Sequence, residues 1–378
     1  RSIYSNANIT WLDVGAGTGQ FSIELFKRLD KHLSGIIIEK AVRHRHIIKN
    51  MIHMVEIQEK HINTLKTIFG ENANIWNSDF INEALPIKHF DCIIGNPPFN
   101  LNGLKKVPTN KTSLKKLDGI TIWTEFVKKS IDYVKSNGYI AMITPAIWMH
   151  PDKAKIYNLL TSYKLLYIRC YTSTQTNKLF NKQAQTPTSY FLVKKTKSSK
   201  ITYLYDSARK EYIRYPIRQL EPIPVFGCSV IRKLNPFVTA FGHIQSIIST
   251  SPPKNAFFSL QKNSSHTYPV IKTCILNKLQ PRLVVEYSNI PMPHYATPKI
   301  VLAHKMYGFP FIDISGEYGV SYRDNHIILL ENNKNTKKNL QLMAKFLSTK
   351  LALYVFESAR YRMRYLERYA FQFLPDIT

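Results

Sequence analysis

The chemistry that this sequence can support begins at residues 13–19, DVGAGTG, which lie between an apolar run and a helix-like pattern. Gly15, Gly17 and Gly19 let the backbone turn sharply and let a ligand approach without a Cβ in the way. Such a loop is typical of a cofactor site. Alone it leaves a dinucleotide site open, because those sites also combine a glycine-rich turn with an acidic residue about 20 positions further on.

Three carboxylates that follow successive predicted strands help to choose between these cofactors. They are Asp13, Glu39 and Asp79. S-adenosylmethionine offers a methionyl amine, a ribose diol and an adenine amine, which need three polar partners of this kind. Phe80 stands beside Asp79 in NSDF and is assigned to the same site. An acid at a strand end also serves as a helix cap or turn residue, but three in order favour S-adenosylmethionine.

A second group of residues, Asn96-Pro97-Pro98-Phe99, directly follows an apolar run. Proline fixes φ, lacks an N–H and restricts the residue before it, so the backbone leaves the strand in a stiff, predictable direction. The turn therefore holds Asn96 and Phe99 in fixed places. A purely structural Pro-Pro turn is the alternative, and the position of this turn downstream of DVGAGTG argues against it.

The first half of the chain alternates strand-like and helix-like patterns, which is typical of a parallel sheet with covering helices. A helix is predicted to end at Asn137-Gly138, which is a good C-terminal stop signal. The predicted strands are Ile9–Asp13, Ser34–Glu39, Ala73–Asn77, Phe90–Ile94, YIAMITP, LLYIRCYT and TSYFLVKKT. The fold class is therefore α/β and Rossmann-like.

The chain is long enough for two domains, predicted at residues 1–213 and 228–378 with a linker at 214–227. The linker lies in a Lys- and Pro-rich stretch, 194–227, without a regular pattern. The second domain is predicted to be α+β, with one helix through NLQLMAKFLSTKLALYVFES. Its C-terminal run ARYRMRYLERYAFQF suits either a nucleic-acid face or the wet side of an amphipathic helix.

Composition favours a polyanionic partner. Lys and Arg total 52 against 25 Asp and Glu, a formal net charge of +27, which favours nucleic acid over a small neutral substrate. The four cysteines are far apart and suggest neither a zinc site nor a disulfide framework, so no metal is expected. No apolar run reaches the roughly 18 residues of a membrane span and no signal peptide is visible, so the protein is expected inside the cell.

The motif series DVGAGTG, Glu39, SDF and NPPF resembles that of the amino-group DNA methyltransferases with the gamma-class motif order. It is most similar to the Eco57I-like adenine-N6 modification methylases over most of residues 9–200. This resemblance implies a methyltransferase domain that uses S-adenosylmethionine, followed by a target-recognition domain. It also implies double-stranded DNA as partner, a fused or separate restriction endonuclease, monomeric action and no membrane. No endonuclease signature is visible.

The resemblance assigns roles to the Asn-Pro-Pro-Phe turn. An exocyclic amine on a base is a poor nucleophile, because its lone pair is delocalised into the ring. Asn96 offers its side-chain oxygen and Pro97 its backbone carbonyl beside the amine N–H groups, Pro98 stiffens the turn, and Phe99 stacks on the flipped base. Asn96 is also assigned to the cofactor site. Phe180 occupies the place of a second aromatic that sandwiches the base; Tyr190 lies nearby, and a core role for either aromatic is the alternative.

Two further expectations accompany the resemblance. The Lys-rich loop from Asn100 to Asp118 is expected to close over the base and touch phosphates. The family segment that packs over the methionyl end of the cofactor would precede Arg1, which suggests a trimmed chain.

Other functions remain open on the sequence. Methyltransferases that act on ribosomal RNA amines or on a release-factor glutamine share the Asn-Pro-Pro-aromatic turn. A catalytically inactive nucleic-acid-binding module with this fold and a dinucleotide-dependent oxidoreductase are the alternatives from other classes. The basic charge and the large C-terminal region favour DNA.

Overall fold

The computed structural model describes residues 2–101, 120–182, 184, 186–277, 280–304, 309–322, 325–331, 333–362 and 365–378. The chain divides into two compact units. The first comprises Arg1–Tyr171, Thr188–Tyr205 and Arg214–Leu220, and the second comprises Thr172–Pro187, Asp206–Ile213 and Glu221–Thr378. The predicted boundaries 1–213 and 228–378 therefore differ from this division, and the roles of the two regions stay a prediction.

A nine-stranded sheet contains the strands of the first 216 residues, in the order β3-β2-β1-β4-β5-β7-β6-β8-β9. In chain order the elements are β1 (Trp11–Val14), α1 (Gln20–Leu33), α2 (Lys40–His46), β2 (Ile52–Glu56), α3 (Glu59–Phe69), β3 (Asn74–Asn77), β4 (Phe90–Gly95), α4 (Trp123–Tyr133), β5 (Val134–Pro145), α5 (Ile156–Ser162), β6 (Tyr163–Tyr171), α6 (Ser173–Leu179), β7 (Thr188–Lys197), β8 (Ile201–Asp206) and β9 (Glu211–Pro216).

The strands β3, β2, β1, β4 and β5 are parallel, and β7 runs antiparallel between β5 and β6. All residues of β1 and β2 are buried, as expected for strands covered on both faces. α1 buries Leu25, Leu29 and Leu33 in a core cluster that includes Trp11. The strand order reverses between β1 and β4, which is where open α/β sheets bind their ligands.

The predicted strand Ser34–Glu39 is wrong. Residues 34–39 form turns after α1, and Ile36 and Ile38 are 55% and 85% exposed. The carbonyl groups of Ile37 and Ile38 accept hydrogen bonds from the buried Arg43 guanidinium rather than from a neighbouring strand. The second strand of the chain is instead β2, which begins at Ile52, 18 residues after the predicted start at Ser34. It pairs with β1 in parallel.

Two further predictions need correction. The helix expected to end at Asn137-Gly138 ends at Tyr133, because the buried Val134 already pairs with Phe90 of β4. The stretch 194–227 is not without regular structure, since it contains the end of β7 and the strands β8 and β9. The predicted linker 214–227 begins inside β9.

The second unit contains two four-stranded sheets, ordered β10-β17-β14-β15 and β11-β13-β12-β16. A buried ion pair joins Lys299 to Asp313 across the first of these sheets, with the ammonium and carboxylate 2.5 Å apart. The elements are α7 (Cys228–Phe241), β10 (Ile247–Ile248), β11 (Phe258–Ser259), β12 (Tyr268–Asn277), β13 (Gln280–Ser288), β14 (Lys299–Ala303), β15 (Phe311–Asp313), β16 (Gly319–Val320), β17 (Asn325–Ile328), α8 (Lys337–Leu347) and α9 (Lys350–Ser358).

The C-terminal part of this unit differs from the sequence pattern in one respect. The single helix predicted through NLQLMAKFLSTKLALYVFES is two helices, because Thr349 caps α9 by accepting a hydrogen bond from the backbone N–H of Ala352. Within the described residues, no helix has the length and hydropathy required to cross a membrane.

Candidate cofactor and catalytic site

The glycine loop joins β1 to α1 in the conformation that its composition requires. Gly15, Gly17 and Gly19 all have positive φ, which side chains with a Cβ rarely adopt. The loop is held to the neighbouring strand, because the N–H of Ala16 donates to the carbonyl of Val55 at 2.9 Å. A Cβ at Gly19 would lie 2.8 Å from Leu65, so this glycine also permits close packing.

Glu56, at the carboxyl end of β2, is the acidic residue that the loop contacts. Its Oε2 accepts a hydrogen bond from the N–H of Gly17 at 2.8 Å, and its Oε1 accepts from the N–H of Gln58 at 2.9 Å. The side chain is buried. By contrast, Glu39 is an exposed residue that precedes α2, and the strand that it was predicted to close does not exist. The structure brings Glu56, and not Glu39, to the glycine loop.

Asp13 lies at the same edge, inside β1. Its Oδ2 accepts a hydrogen bond from the Ser22 hydroxyl at 2.7 Å. Its Oδ1 is buried and has no hydrogen-bond partner among the described residues. Burial raises the pKa of Asp13 to about 7, with a smaller rise from the neighbouring Glu56 charge and an opposing effect of Ser22. A buried acceptor without a partner next to a glycine loop fits a ligand that brings an N–H group.

Asp79 follows β3 and is half-buried. Its carboxylate accepts hydrogen bonds from the N–H of Ile81 at 2.9 Å and from the Asn82 side chain at 2.7 Å. Burial opposes ionisation, but these hydrogen bonds outweigh it and lower the pKa of Asp79. Asp79 therefore does have the turn role that the sequence analysis gave as an alternative. A carboxylate has about four acceptor sites, so Asp79 can still accept a hydrogen bond from a ligand. Phe80 is buried beside Phe126, with the ring centroids 5.4 Å apart.

The Asn-Pro-Pro-Phe turn leaves β4 directly beside the glycine loop. A Cβ at Gly15 would lie 3.8 Å from Pro98 Cδ and 3.9 Å from Pro97 Cα. The strand before the turn is equally close, since a Cβ at Gly95 would lie 2.8 Å from the carbonyl oxygen of Val14. Asn96 is exposed, Pro97 is buried, Pro98 is exposed and Phe99 is half-buried. The turn and the loop thus share one edge of the sheet.

The chain after the turn returns to it at Ile120. The N–H of Leu101 donates to the carbonyl of Ile120 at 2.8 Å, and the N–H of Ile122 donates to the carbonyl of Phe99 at 3.2 Å. These bonds fix both sides of the turn's exit. Of the loop expected to close over the base, residues 102–118 lie outside the described residues.

The two aromatic residues considered for the second face of the base lie in different units. Phe180 follows α6 in the second unit and is half-buried, and its role stays a prediction. Tyr190 lies in β7 of the first unit, where it pairs with Ile143 of β5 and Arg169 of β6.

A cavity of about 320 Å³ lies in the first unit. Its lining is mostly apolar and contains none of Asp13, Glu56 and Asp79, although Glu24 and Arg28 of α1 contribute polar groups. The residues that line it include Tyr4, Phe21, Gly95, Ile143 and Tyr190.

The arrangement at the sheet edge has two parts with different chemistry. The glycine loop, Asp13, Glu56 and Asp79 offer close backbone approach and three carboxylates, which suit a ligand with amines and hydroxyls. The turn at Asn96 offers neutral acceptors on a stiff backbone. Sequence reasoning missed Glu56; the signal was the apolar run IHMVE, which ends in an acid and precedes a helix pattern.

Comparison with known proteins finds similarity to the family that the motifs resemble. Residues 20–177 match the family model of the Eco57I restriction-modification methylase. The Type II methyltransferase M.AccI of Acinetobacter calcoaceticus is 34% identical over 115 residues, which are 28% of this chain and 21% of that protein. The match therefore spans about a fifth of the curated relative's length.

Two solved structures resemble the chain at low identity. The type I restriction enzyme EcoKI M protein has a TM-score of 0.41 and 13% identity, with 54% of this chain and 46% of that chain covered. The type I restriction-modification methyltransferase subunit from Streptococcus thermophilus has a TM-score of 0.40 and 15% identity, with 58% and 46% covered. The match over residues 20–177 confirms the predicted resemblance to the Eco57I-like modification methylases and the S-adenosylmethionine cofactor that it implies. The predicted α/β fold is confirmed by the nine-stranded sheet and its helices.

Proposed function

Because residues 20–177 are an Eco57I-like restriction-modification methylase segment, we propose that this chain methylates N6 of adenine in double-stranded DNA. The observation that carries the proposal is the position of the Asn-Pro-Pro-Phe turn. It follows β4 at the switch point of the sheet, and its Pro97 Cα is 3.9 Å from the Cβ position of Gly15 in the glycine loop. A group held by the turn and a ligand held by the loop are neighbours.

The loop side provides the residues for the cofactor. Glu56 receives the ribose hydroxyls in place of the predicted Glu39, because it is the carboxylate bonded to Gly17. Asp13 offers its unpartnered Oδ1 to the methionyl amine, and Asp79 accepts from the adenine amine. S-adenosylmethionine supplies an electrophilic methyl group on a sulfonium.

The turn side provides the residues for the target base. The Asn96 side-chain oxygen and the Pro97 carbonyl accept the two amine N–H groups, so the positive charge that develops on the nitrogen is stabilised. The prolines hold this geometry without a competing N–H. Phe99 stacks on the base, which must leave the duplex at a cost of a few kcal/mol. The second unit then reads the DNA sequence, and a fused or separate endonuclease completes a restriction-modification system.

The experiment identifies the modified group directly. The full-length protein and its Asn96→Ala variant are incubated with labelled S-adenosylmethionine and, separately, duplex DNA, ribosomal RNA and a protein extract. N6-methyladenine in DNA that is lost in the variant supports the proposal. Label in RNA or protein overturns the substrate, and no label in any of the three overturns the activity.

A further inference from the structure

Arg169, in β6, is surrounded by three tyrosines of the first unit. Its guanidinium carbon lies 4.0 Å from the ring centroid of Tyr205 and 5.1 Å from that of Tyr171. It also forms a hydrogen bond with Tyr190, its neighbour in β7. No ion pair joins Arg169 to a carboxylate among the residues that the structure describes. The side chain is held by rings and keeps its charge without an internal counter-ion.

The Arg169 cluster is connected to the Asn-Pro-Pro-Phe turn through paired residues of neighbouring strands. Ile143 pairs with Tyr190, and Tyr190 pairs with Arg169, so these side chains occupy the same face of the sheet. Gly95 pairs with Met142, which places Asn96 beside Ile143. Arg169 is then three strands from Asn96, roughly 14 Å at about 4.8 Å per strand.

The face that carries the cluster is open to a ligand. Tyr167, two residues before Arg169, stacks on Tyr203 of β8 with ring centroids 5.5 Å apart. Tyr167 and Tyr203 are 40% and 44% exposed. Arg169 itself is half-buried. An exposed aromatic surface around an arginine differs from a packed core.

The chemistry of the cluster selects an anion. Rings that stack on a guanidinium fix its plane and leave N–H groups at its edge, where they match two oxygens of a phosphate. A carboxylate partner that would compete for these donors is not found among the described residues, and the chain as a whole carries a net charge of +27.

We propose that Arg169, held by Tyr171, Tyr190 and Tyr205, binds a backbone phosphate of the DNA near the target adenine. The inference rests on the proposed function. A distance of roughly 14 Å corresponds to about four steps of 3.4 Å along one strand. Arg169 is thus a positioning residue that sets the strand relative to Asn96 and does not touch the reacting atoms.

The test measures binding of the full-length protein to the duplex that accepts methyl groups, over a series of salt concentrations. Arg169→Gln is expected to bind more weakly, and the slope of log K against log salt is expected to fall by about 0.9, the value for one phosphate contact. Arg28→Gln is the matched control, because Arg28 is paired with Glu24 at 2.9 Å and should leave the slope unchanged. An unchanged slope in Arg169→Gln overturns the inference.

A second measurement locates the phosphate, and a second variant replaces Arg169→Gln if that variant does not fold. Single methylphosphonate groups, which lack the charge, are placed at each position around the target adenine. One position should weaken wild-type binding and have no further effect in Arg169→Gln. If thermal melting shows that Arg169→Gln does not fold, Arg169→Lys replaces it, and it should keep the slope but bind several-fold more weakly, since lysine cannot stack or bind in bidentate fashion. Wild-type affinity in Arg169→Lys overturns the inference.

The two proposals fail separately. If the wild-type protein places no label in DNA, the proposed function fails first. If it methylates DNA and Arg169→Gln keeps the wild-type salt slope, only the phosphate site fails.

Discussion

The edge of the sheet that carries the candidate site has two halves, which present different kinds of polar group. The ends of β1, β2 and β3 carry Asp13, Glu56 and Asp79, which are titratable and receive hydrogen bonds from backbone or side-chain donors. The end of β4 carries a turn whose acceptors are an amide oxygen and a backbone carbonyl. Binding at the first half depends on charged carboxylates, whereas binding at the second half depends on neutral acceptors that a stiff backbone holds in place. Substitutions should therefore separate cofactor affinity from the rate of methyl transfer.

The largest expected effect lies in the neutral half. Asn96→Ala removes one of two acceptors for the developing charge, and losses of this kind reduce kcat by about 10² to 10³-fold. Because the proposed arrangement gives the Asn96 side-chain oxygen to the base, the Kd for S-adenosylmethionine should change far less than kcat. Single-turnover methylation and calorimetric titration of the cofactor measure the two quantities. Equal loss of both would break the separation.

In the charged half, Glu56→Gln is expected to weaken S-adenosylmethionine binding about 10 to 100-fold. Hydrogen bonds to a charged group contribute about 1.5–3 kcal/mol. The matched control is Glu39→Gln, at an exposed position, which should bind as the wild type does. Calorimetric titration of both variants decides which acid binds the cofactor. Weaker binding in Glu39→Gln but not in Glu56→Gln would restore the prediction of Glu39. Thermal melting must accompany it, since Glu56 also accepts from Gly17.

Gly95→Ala tests the contact between the halves. The added Cβ would lie 2.7 Å from Val14 Cγ2 and 2.8 Å from the Val14 carbonyl oxygen. Overpacking of this kind costs about 1–3 kcal/mol of unfolding free energy, which urea denaturation would measure. Gly35→Ala is the control, because a Cβ there meets nothing within 4 Å. Equal stability of the two variants would mean that β1 and β4 do not pack closely at this point.

The smallest expected effect is on pH dependence. Asp13 has its pKa raised from 3.8 to about 7, so the folded state binds a proton more tightly than the unfolded chain. Its contribution to stability is complete below pH 4 and is lost as pH rises to about 7, by at most about 1.4 kcal/mol per pH unit. Urea denaturation between pH 4 and 8 should show this slope and its loss in Asp13→Asn.

Asp79→Asn provides the opposite sign. The pKa of Asp79 is lowered, so its contribution is present above its ordinary pKa and is lost only as pH falls below it. Between pH 5 and 8 this variant should keep the wild-type slope. If the slope disappears in Asp79→Asn, the acid that titrates is Asp79 and not Asp13.

The sequence was informative where a local motif determines the backbone. DVGAGTG and Asn96-Pro97-Pro98-Phe99 contain the glycines and prolines that their turns require, and both predicted turns follow strands in the structure. In each case the information lies within a few residues of the feature itself.

The predictions were wrong where distant contacts decide. A typical spacing of about 20 residues selected Glu39, but the turns at 34–39 and α2 lengthen the connection, and the acid that contacts the glycine loop is Glu56. Nothing in SGIIIE reveals that Arg43 will bind the carbonyls of Ile37 and Ile38. Likewise, pairing of Val134 with Phe90 ended α4 before the Asn137-Gly138 signal.

The narrow space between Gly15 and the two prolines has a consequence for engineering. A Cβ at Gly15 would already be in van der Waals contact with Pro98 Cδ and Pro97 Cα. These atoms belong to a proline ring and to the backbone, so a change of rotamer cannot move them away. A graft that moves the Asn-Pro-Pro-Phe turn into another scaffold would therefore have to carry the glycine loop with it, although the two segments are about 80 residues apart in the chain.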